Sequence, residues 1–122
     1  MEVAFETTRK IVDMLYKVVF RRNPDITFIV AHGGGTVPLL EGWLKLLGTE
    51  SWFSNPEWMA KEEVQTALSR LYVDTAVVGI ASLLPALRLV GKDHVVYDLD
   101  RGAPCSTVAT MKENKPYLRS LR

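Results

Sequence analysis

The stretch Asp25-Ile26-Thr27-Phe28-Ile29-Val30-Ala31-His32-Gly33-Gly34-Gly35-Thr36-Val37-Pro38 decides how the rest of the chain is read. Ile26 to Ala31 follow Asn23-Pro24 and are short, β-branched or aromatic, so the run predicts a strand buried on both faces. His32 stands at its C-terminal end. Three consecutive glycines let the backbone turn sharply and approach a ligand closely, and Pro38 with Leu39, Leu40, Trp43, Leu44 and Leu47 announces a helix. Ligands of parallel α/β folds bind at the C-terminal ends of strands, which places His32 where chemistry happens. These residues also fit a histidine that merely closes a core strand, or a Gly33 to Gly35 loop that binds a small anion.

On the N-terminal side, Ile11, Val12, Leu15, Tyr16 and Val19 recur at three- and four-residue spacing, predicting an amphipathic helix over Thr8–Phe20 with Thr7 or Thr8 as its cap. Arg21-Arg22 favour its carboxyl end and Asn23-Pro24 stop it. On the C-terminal side, Thr49 to Trp58 mixes polar and aromatic residues with Pro56 and reads as a surface excursion, in which Trp52, Phe53 and Trp58 either pack on neighbouring helices or form a partner surface. Met59–Arg70 is helical through Val64, Ala67 and Leu68, and Leu71–Ala76 is a second strand. Ser82–Val90 is helical, with Pro85 in its first turn and Gly91 as its cap. His94–Asp100 is a third strand, and a last helical segment starts near Ser106 and is interrupted near Pro116. Strands alternating with helices imply βαβ crossovers and a parallel sheet.

At 122 residues and 48% hydrophobic content the chain is ample for one soluble domain. Fifteen basic against fourteen acidic residues leave a net charge of +1, without the basic excess of an electrostatic nucleic-acid binder. No apolar run approaches the roughly 20 residues that span a bilayer, and the first residues are not a signal peptide, so a cytoplasmic location and no membrane partner are expected. Cys105 is the single cysteine, which excludes an intrachain disulfide and a cysteine-cluster zinc site.

His32, Asp74 and Asp100 each close a strand, and right-handed crossovers carry all three to one edge of the sheet. Imidazole and carboxylate there suit a general base or a metal. A catalytic zinc takes three protein ligands and a water, however, and the chain has only two histidines. His94 is at the far end of its strand from Asp100, roughly 20 Å away at about 3.3 Å per residue. Gly33, Gly34, Asp74 and Asp98 are the further residues expected to line a site at this edge.

Phe5-Glu-Thr-Thr-Arg9, Asn23-Pro-Asp25, His32-Gly-Gly-Gly-Thr-Val-Pro38, Leu71-Tyr-Val-Asp-Thr75 and Gly91-Lys-Asp-His-Val-Val-Tyr97 followed by Asp100 resemble the C-terminal half of the amidohydrolase-2 (amidohydrolase-related) family. Its members are metal-dependent decarboxylases and hydrolases of the aminocarboxymuconate-semialdehyde decarboxylase and salicylate decarboxylase types. The resemblance implies α/β architecture in the form of a partial (β/α)8 TIM-type barrel, with residues 1–122 as a single C-terminal half that supplies the sixth, seventh and eighth strands. It implies a carbon–carbon lyase or hydrolase acting on a small carboxylic acid. His32 falls on the family's acid/base or electrostatic histidine beside a metal-bound water, and Asp100 falls on the aspartate that ligates zinc or another divalent metal.

The family's remaining ligands belong to first and fifth strands that have no counterpart here. A chain with only this half is expected to be inactive alone, to hold metal poorly, and to associate with a second copy or with the missing N-terminal half, because a closed barrel takes about 250 residues and an opened one exposes its inner face and two strand edges. Two positions depart from the family. Asp98 replaces a glycine, and Trp43, eleven positions after His32, replaces an arginine that meets a substrate carboxylate. An indole donates one hydrogen bond and cannot imitate the guanidinium fork. The alternative expectation is a non-catalytic interaction module that keeps the half-barrel as scaffold and binds through its exposed sheet and the Trp52/Trp58 region.

Overall fold

The structure, a computed structural model, describes residues 2–76, 79–98 and 107–119. Helix α1 (Glu2–Tyr16) buries Ile11, Leu15 and Tyr16 along one stripe. It starts about two turns earlier than the spacing predicts, so Thr7 and Thr8 lie inside the helix and cap nothing. The predicted single helix through Phe20 is broken. Val18 takes a left-handed conformation (φ 49°), and a short α2 (Val19–Arg22) follows. A β-branched residue resists that conformation. Here Val18 is itself buried, and the kink sets Phe20 edge-on to Phe28 with ring centroids 5.0 Å apart.

The sheet has three parallel strands in the order β1 (Ile29–Val30), β2 (Tyr72–Asp74), β3 (Val95–Val96), with Val30 beside Val73 and Val73 beside Val95. These valines face the core that Ile11, Leu15, Val37, Leu44, Val64, Leu68 and Ala86 complete from α1, α3 (Val37–Leu47), α4 (Lys61–Ser69) and α5 (Ile80–Val90). Side chains alternate along a strand, so Ile29 and Tyr72 face the other way. Ile29 is 63% exposed. The expected burial of the first strand on both faces is therefore not found at Ile29, because the described helices pack on the Val30 side of β1. β1 is also shorter than the apolar run Ile26–Ala31, because it is an edge strand and pairs only as far as the three residues of β2 extend; one further bond runs from the Tyr72 N–H to the Phe28 carbonyl (2.9 Å).

β3 is shorter than predicted too, its start being taken by a 3₁₀ turn over Lys92–His94. His94 stacks on Tyr72 with ring centroids 4.3 Å apart, at the sheet end remote from His32. The Thr49–Trp58 excursion is fastened by Asn55, whose amide donates to the carbonyls of Gly48 and Met59 and accepts from the Met59 N–H. Phe53 packs edge-on against Tyr16, whereas Trp52 and Trp58 stay 72% and 88% exposed. Helix α6 (Val108–Arg119) runs through Pro116 instead of breaking there; close to the helix end the missing N–H forfeits a single bond. Among the described residues no helix is long and apolar enough to cross a membrane.

Candidate functional site

The turn after β1 is built from four left-handed residues in succession: His32 (φ 57°), Gly33 (60°), Gly34 (82°) and Gly35 (63°). Three glycines adopt these angles without penalty, and His32 is the residue forced into them, at a cost of about 1–2 kcal/mol. Gly35 is required for a second reason. A Cβ there would sit 2.6 Å from the Ala4 carbonyl oxygen and 2.6 Å from Thr8 Oγ1, so the turn lies directly against α1.

Side chains from two other elements lock this turn. Asp74, at the end of β2 and 6% exposed, accepts the Gly33 N–H on Oδ1 (2.8 Å) and the Ala76 N–H on the same oxygen (3.2 Å). From α1, Thr8 Oγ1 accepts the Thr36 N–H (2.9 Å), contacts the Thr36 hydroxyl (3.0 Å) and donates to the Ala4 carbonyl (2.8 Å). Thr7 Oγ1 meets Nδ1 of His32 at 3.2 Å. The ring is thus held from α1, and the amide next to it from β2.

In front of His32 lies a cavity of about 430 Å³, bounded by Ala4, Gly35 and Thr36 on one side and by Ala76, Ala81, Ser82 and Pro85 on the other. Ser82 and the imidazole are its titratable or hydroxylic side chains together with Thr36. Pro85, another lining residue, lies inside α5 and has no N–H to offer the Ala81 carbonyl four residues before it. The space therefore combines histidine, threonine and serine with apolar residues, as small-molecule sites do.

Of the residues singled out from the sequence, His32, Gly33 and Asp74 are brought together. Asp74 reaches the backbone beside His32, not the ring. Gly33 and Gly34 are buried behind the turn, and Gly35 is the glycine that lines the cavity. Asp98 lies beyond the end of β3 and is exposed; its N–H donates to Thr75 Oγ1 (3.0 Å) and its carbonyl accepts from the same hydroxyl (2.6 Å). Strand alternation therefore does not govern where its side chain points. Asp100, the Arg101–Pro104 turn and Cys105 lie outside the described residues. Thr7, Thr8 and Ser82 were not legible as site residues, although two adjacent threonines inside a helical pattern are a usable signal. Threonine is a poor helix former, and its hydroxyl needs a partner.

No family model matches the chain. It is 31% identical over 110 residues to decarboxylase macB of Penicillium terrestre, an alignment that covers 84% of this chain and 31% of that protein. It is 49% identical over 35 residues to decarboxylase yanB of Aspergillus niger, covering 29% of this chain and 10% of that protein. The chain thus spans about a third of the length of one curated relative and a tenth of the other, and what it is similar to in each case is a decarboxylase.

Proposed function

We propose that the chain supplies the sixth to eighth strands, and residues 1–122 the C-terminal half, of a (β/α)8 barrel in an amidohydrolase-related, metal-dependent decarboxylase. On this reading it is a cytosolic carbon–carbon lyase acting on a small carboxylic acid, and it is inactive until the barrel is completed. The observation that carries the proposal is His32 itself, held in a strained turn at the C-terminal end of a parallel strand and facing a cavity of about 430 Å³. The two decarboxylase relatives and the exposed Ile29 on the sheet agree with it.

When a carboxylate leaves as carbon dioxide, the bonding electron pair stays on the substrate carbon, which must then take up a proton. A positioned imidazole can hold and deliver that proton. Metal is the part that the described residues do not provide. They gather no group of three His, Cys, Asp or Glu side chains, and Asp74 Oδ1 already accepts two amide hydrogens. Zinc with three protein ligands would need Asp100 and residues from the strands that complete the barrel.

The test is to assay carbon dioxide release from a panel of small hydroxyaromatic and aliphatic acids, with added zinc, by the chain alone and by the chain co-expressed with a polypeptide carrying the remaining five strands. Turnover is expected only for the complex, and His32→Ala should lower its kcat by about 10²–10⁴-fold while zinc is retained. Turnover by the purified chain alone, or an unchanged kcat in His32→Ala, would refute the assignment. A non-catalytic interaction module is the second reading, favoured by the exposed Trp52 and Trp58. It predicts a complex that binds no zinc, whereas a completed enzyme holds about one ion per site.

A further inference from the structure

Thr7 and Thr8 are neighbours inside α1, and they use their hydroxyls differently. Thr8 donates to the carbonyl four residues back, Ala4, at 2.8 Å, which is the ordinary bond of a threonine in a helix. Thr7 instead meets Nδ1 of His32, 25 residues away, at 3.2 Å. That contact occupies one ring nitrogen and leaves Nε2 for the cavity that His32 lines. His32 opens a three-residue 3₁₀ turn (His32–Gly34) in a left-handed conformation, so neither a longer helix nor a strand aims the ring.

We infer that Thr7 is a positioning residue, which fixes the tautomer and direction of His32 so that Nε2 faces the cavity. A hydroxyl both donates and accepts. With the ring neutral, Thr7 donates to Nδ1 and the proton of the imidazole sits on Nε2. With the ring charged, Nδ1–H donates to the same oxygen. The contact therefore exists with the ring neutral or charged and selects Nε2–H in the neutral ring, whereas a backbone carbonyl, able only to accept, would hold Nδ1–H and select the opposite tautomer. From the other described elements around the ring, Ala76 after β2 and Ala81 of α5 bring no side-chain charge, and Ser82 brings a hydroxyl across the cavity. The inference gains its purpose from the role proposed for His32, but it is tested without turnover.

The experiment is ¹⁵N NMR of the imidazole rings in the full chain, at a pH above which the ring shifts no longer change, with the His32 signals identified by their loss in His32→Gln. Wild type and Thr7→Ser should show Nε2–H as the dominant tautomer. Thr7→Val keeps the volume and loses the hydroxyl, and the Nδ1–H share should rise about five- to tenfold, the effect of one hydrogen bond. Its melting temperature should fall by less than about 5 °C. An unchanged tautomer ratio in Thr7→Val would overturn the inference. So would a Thr7→Val chain that unfolds while Thr7→Ser remains folded, since the hydroxyl would then be holding α1 in place. A shifted tautomer beside an unaffected kcat for His32→Ala would leave this inference standing and remove the proposed function.

Discussion

One substitution, glycine to alanine, should have three different outcomes at three positions of this chain. Gly42 lies in the middle of α3, is exposed, and a Cβ built on it meets nothing within 4 Å. Alanine there restricts the unfolded chain and favours the helix, a gain of about 0.4–1 kcal/mol. Gly34 has φ 82°, but its Cβ would make an ordinary 3.5 Å contact with Val73 Cγ1. Only the left-handed backbone is penalised, by about 1–2 kcal/mol. Gly35 has both problems, with φ 63° and a Cβ 2.6 Å from the Ala4 carbonyl and from Thr8 Oγ1. Neither neighbour is the free end of a long side chain, so α1 must move away from the turn. Overpacking adds about 1–3 kcal/mol to the backbone term, for a loss of about 2–5 kcal/mol. At roughly 4 °C per kcal/mol for a chain of this size, Gly42→Ala should melt a few degrees higher and Gly34→Ala about 4–8 °C lower. Gly35→Ala should fall further still. Urea denaturation followed by circular dichroism measures the same order. If Gly35→Ala loses no more than Gly34→Ala, α1 is not seated on the turn and the placement of Thr7 beside His32 fails with it.

Asp74→Ala removes an acceptor shared by the buried Gly33 amide and the part-buried Ala76 amide and should cost about 3 kcal/mol in urea denaturation, while Asp74→Asn, which keeps one oxygen facing Gly33, should cost less than half of that; equal losses would show that the bond to Gly33 is unimportant. Burial pushes the Tyr16 phenol above its usual 10.0, and its hydroxyl donates to the Leu44 carbonyl at 2.5 Å. The folded chain therefore favours the neutral phenol, so this stability is fully present below pH 10 and is lost as the pH rises past it; Tyr16→Phe should lose about 1 kcal/mol at neutral pH and show a flatter alkaline decline. Hydrogen bonds from Arg21 hold Glu63 below its usual 4.5. Its contribution is present above pH 4.5 and disappears as the pH falls through the lowered value. With the two side chains 42% and 32% exposed, Glu63→Gln should cost less than about 1 kcal/mol and less again in high salt.

The alternation of strands and helices was legible because it rests on local periodicity, and Val73, Leu68, Leu15 and Leu44 are buried as the pattern requires. Strand lengths were not. An apolar run such as Ile26–Ala31 records what a residue can pair with, whereas ladder length depends on how far the neighbour extends, and β2 stops at Asp74. Burial of Ile29 depends likewise on whether a second layer exists, which no window of sequence contains. The break at Val18 has no local signal because the residue type argues against it; tertiary packing of Phe20 overrides the local preference. Thr7 and Thr8 suit a helix start by chemistry that holds for an isolated helix. Their real partners, His32 and Thr36, are 25 and 28 residues away.

His32 and Asp74 look alike in the sequence, each a polar residue ending an apolar strand, and the structure separates their tasks. A carboxylate only 6% exposed must recover the solvation it has lost, and Asp74 does so through two backbone amides on one oxygen. Those bonds tie the end of β2 to the start of the glycine turn, so the charge stabilises a backbone conformation. His32 has the opposite surroundings. Its backbone is strained, one ring nitrogen is met by a hydroxyl from a distant helix, and the ring borders open space. Stability alone does not require a histidine there, since glycine or asparagine would adopt φ 57° at lower cost. Left-handed non-glycine residues persist where the surrounding structure over-determines them. Here Asp74 fixes the following amide, Gly35 admits α1, and α1 brings Thr7 to the ring. All three supports converge on the direction of one imidazole, whereas the hydrogen bonds of Asp74 go to the backbone around it.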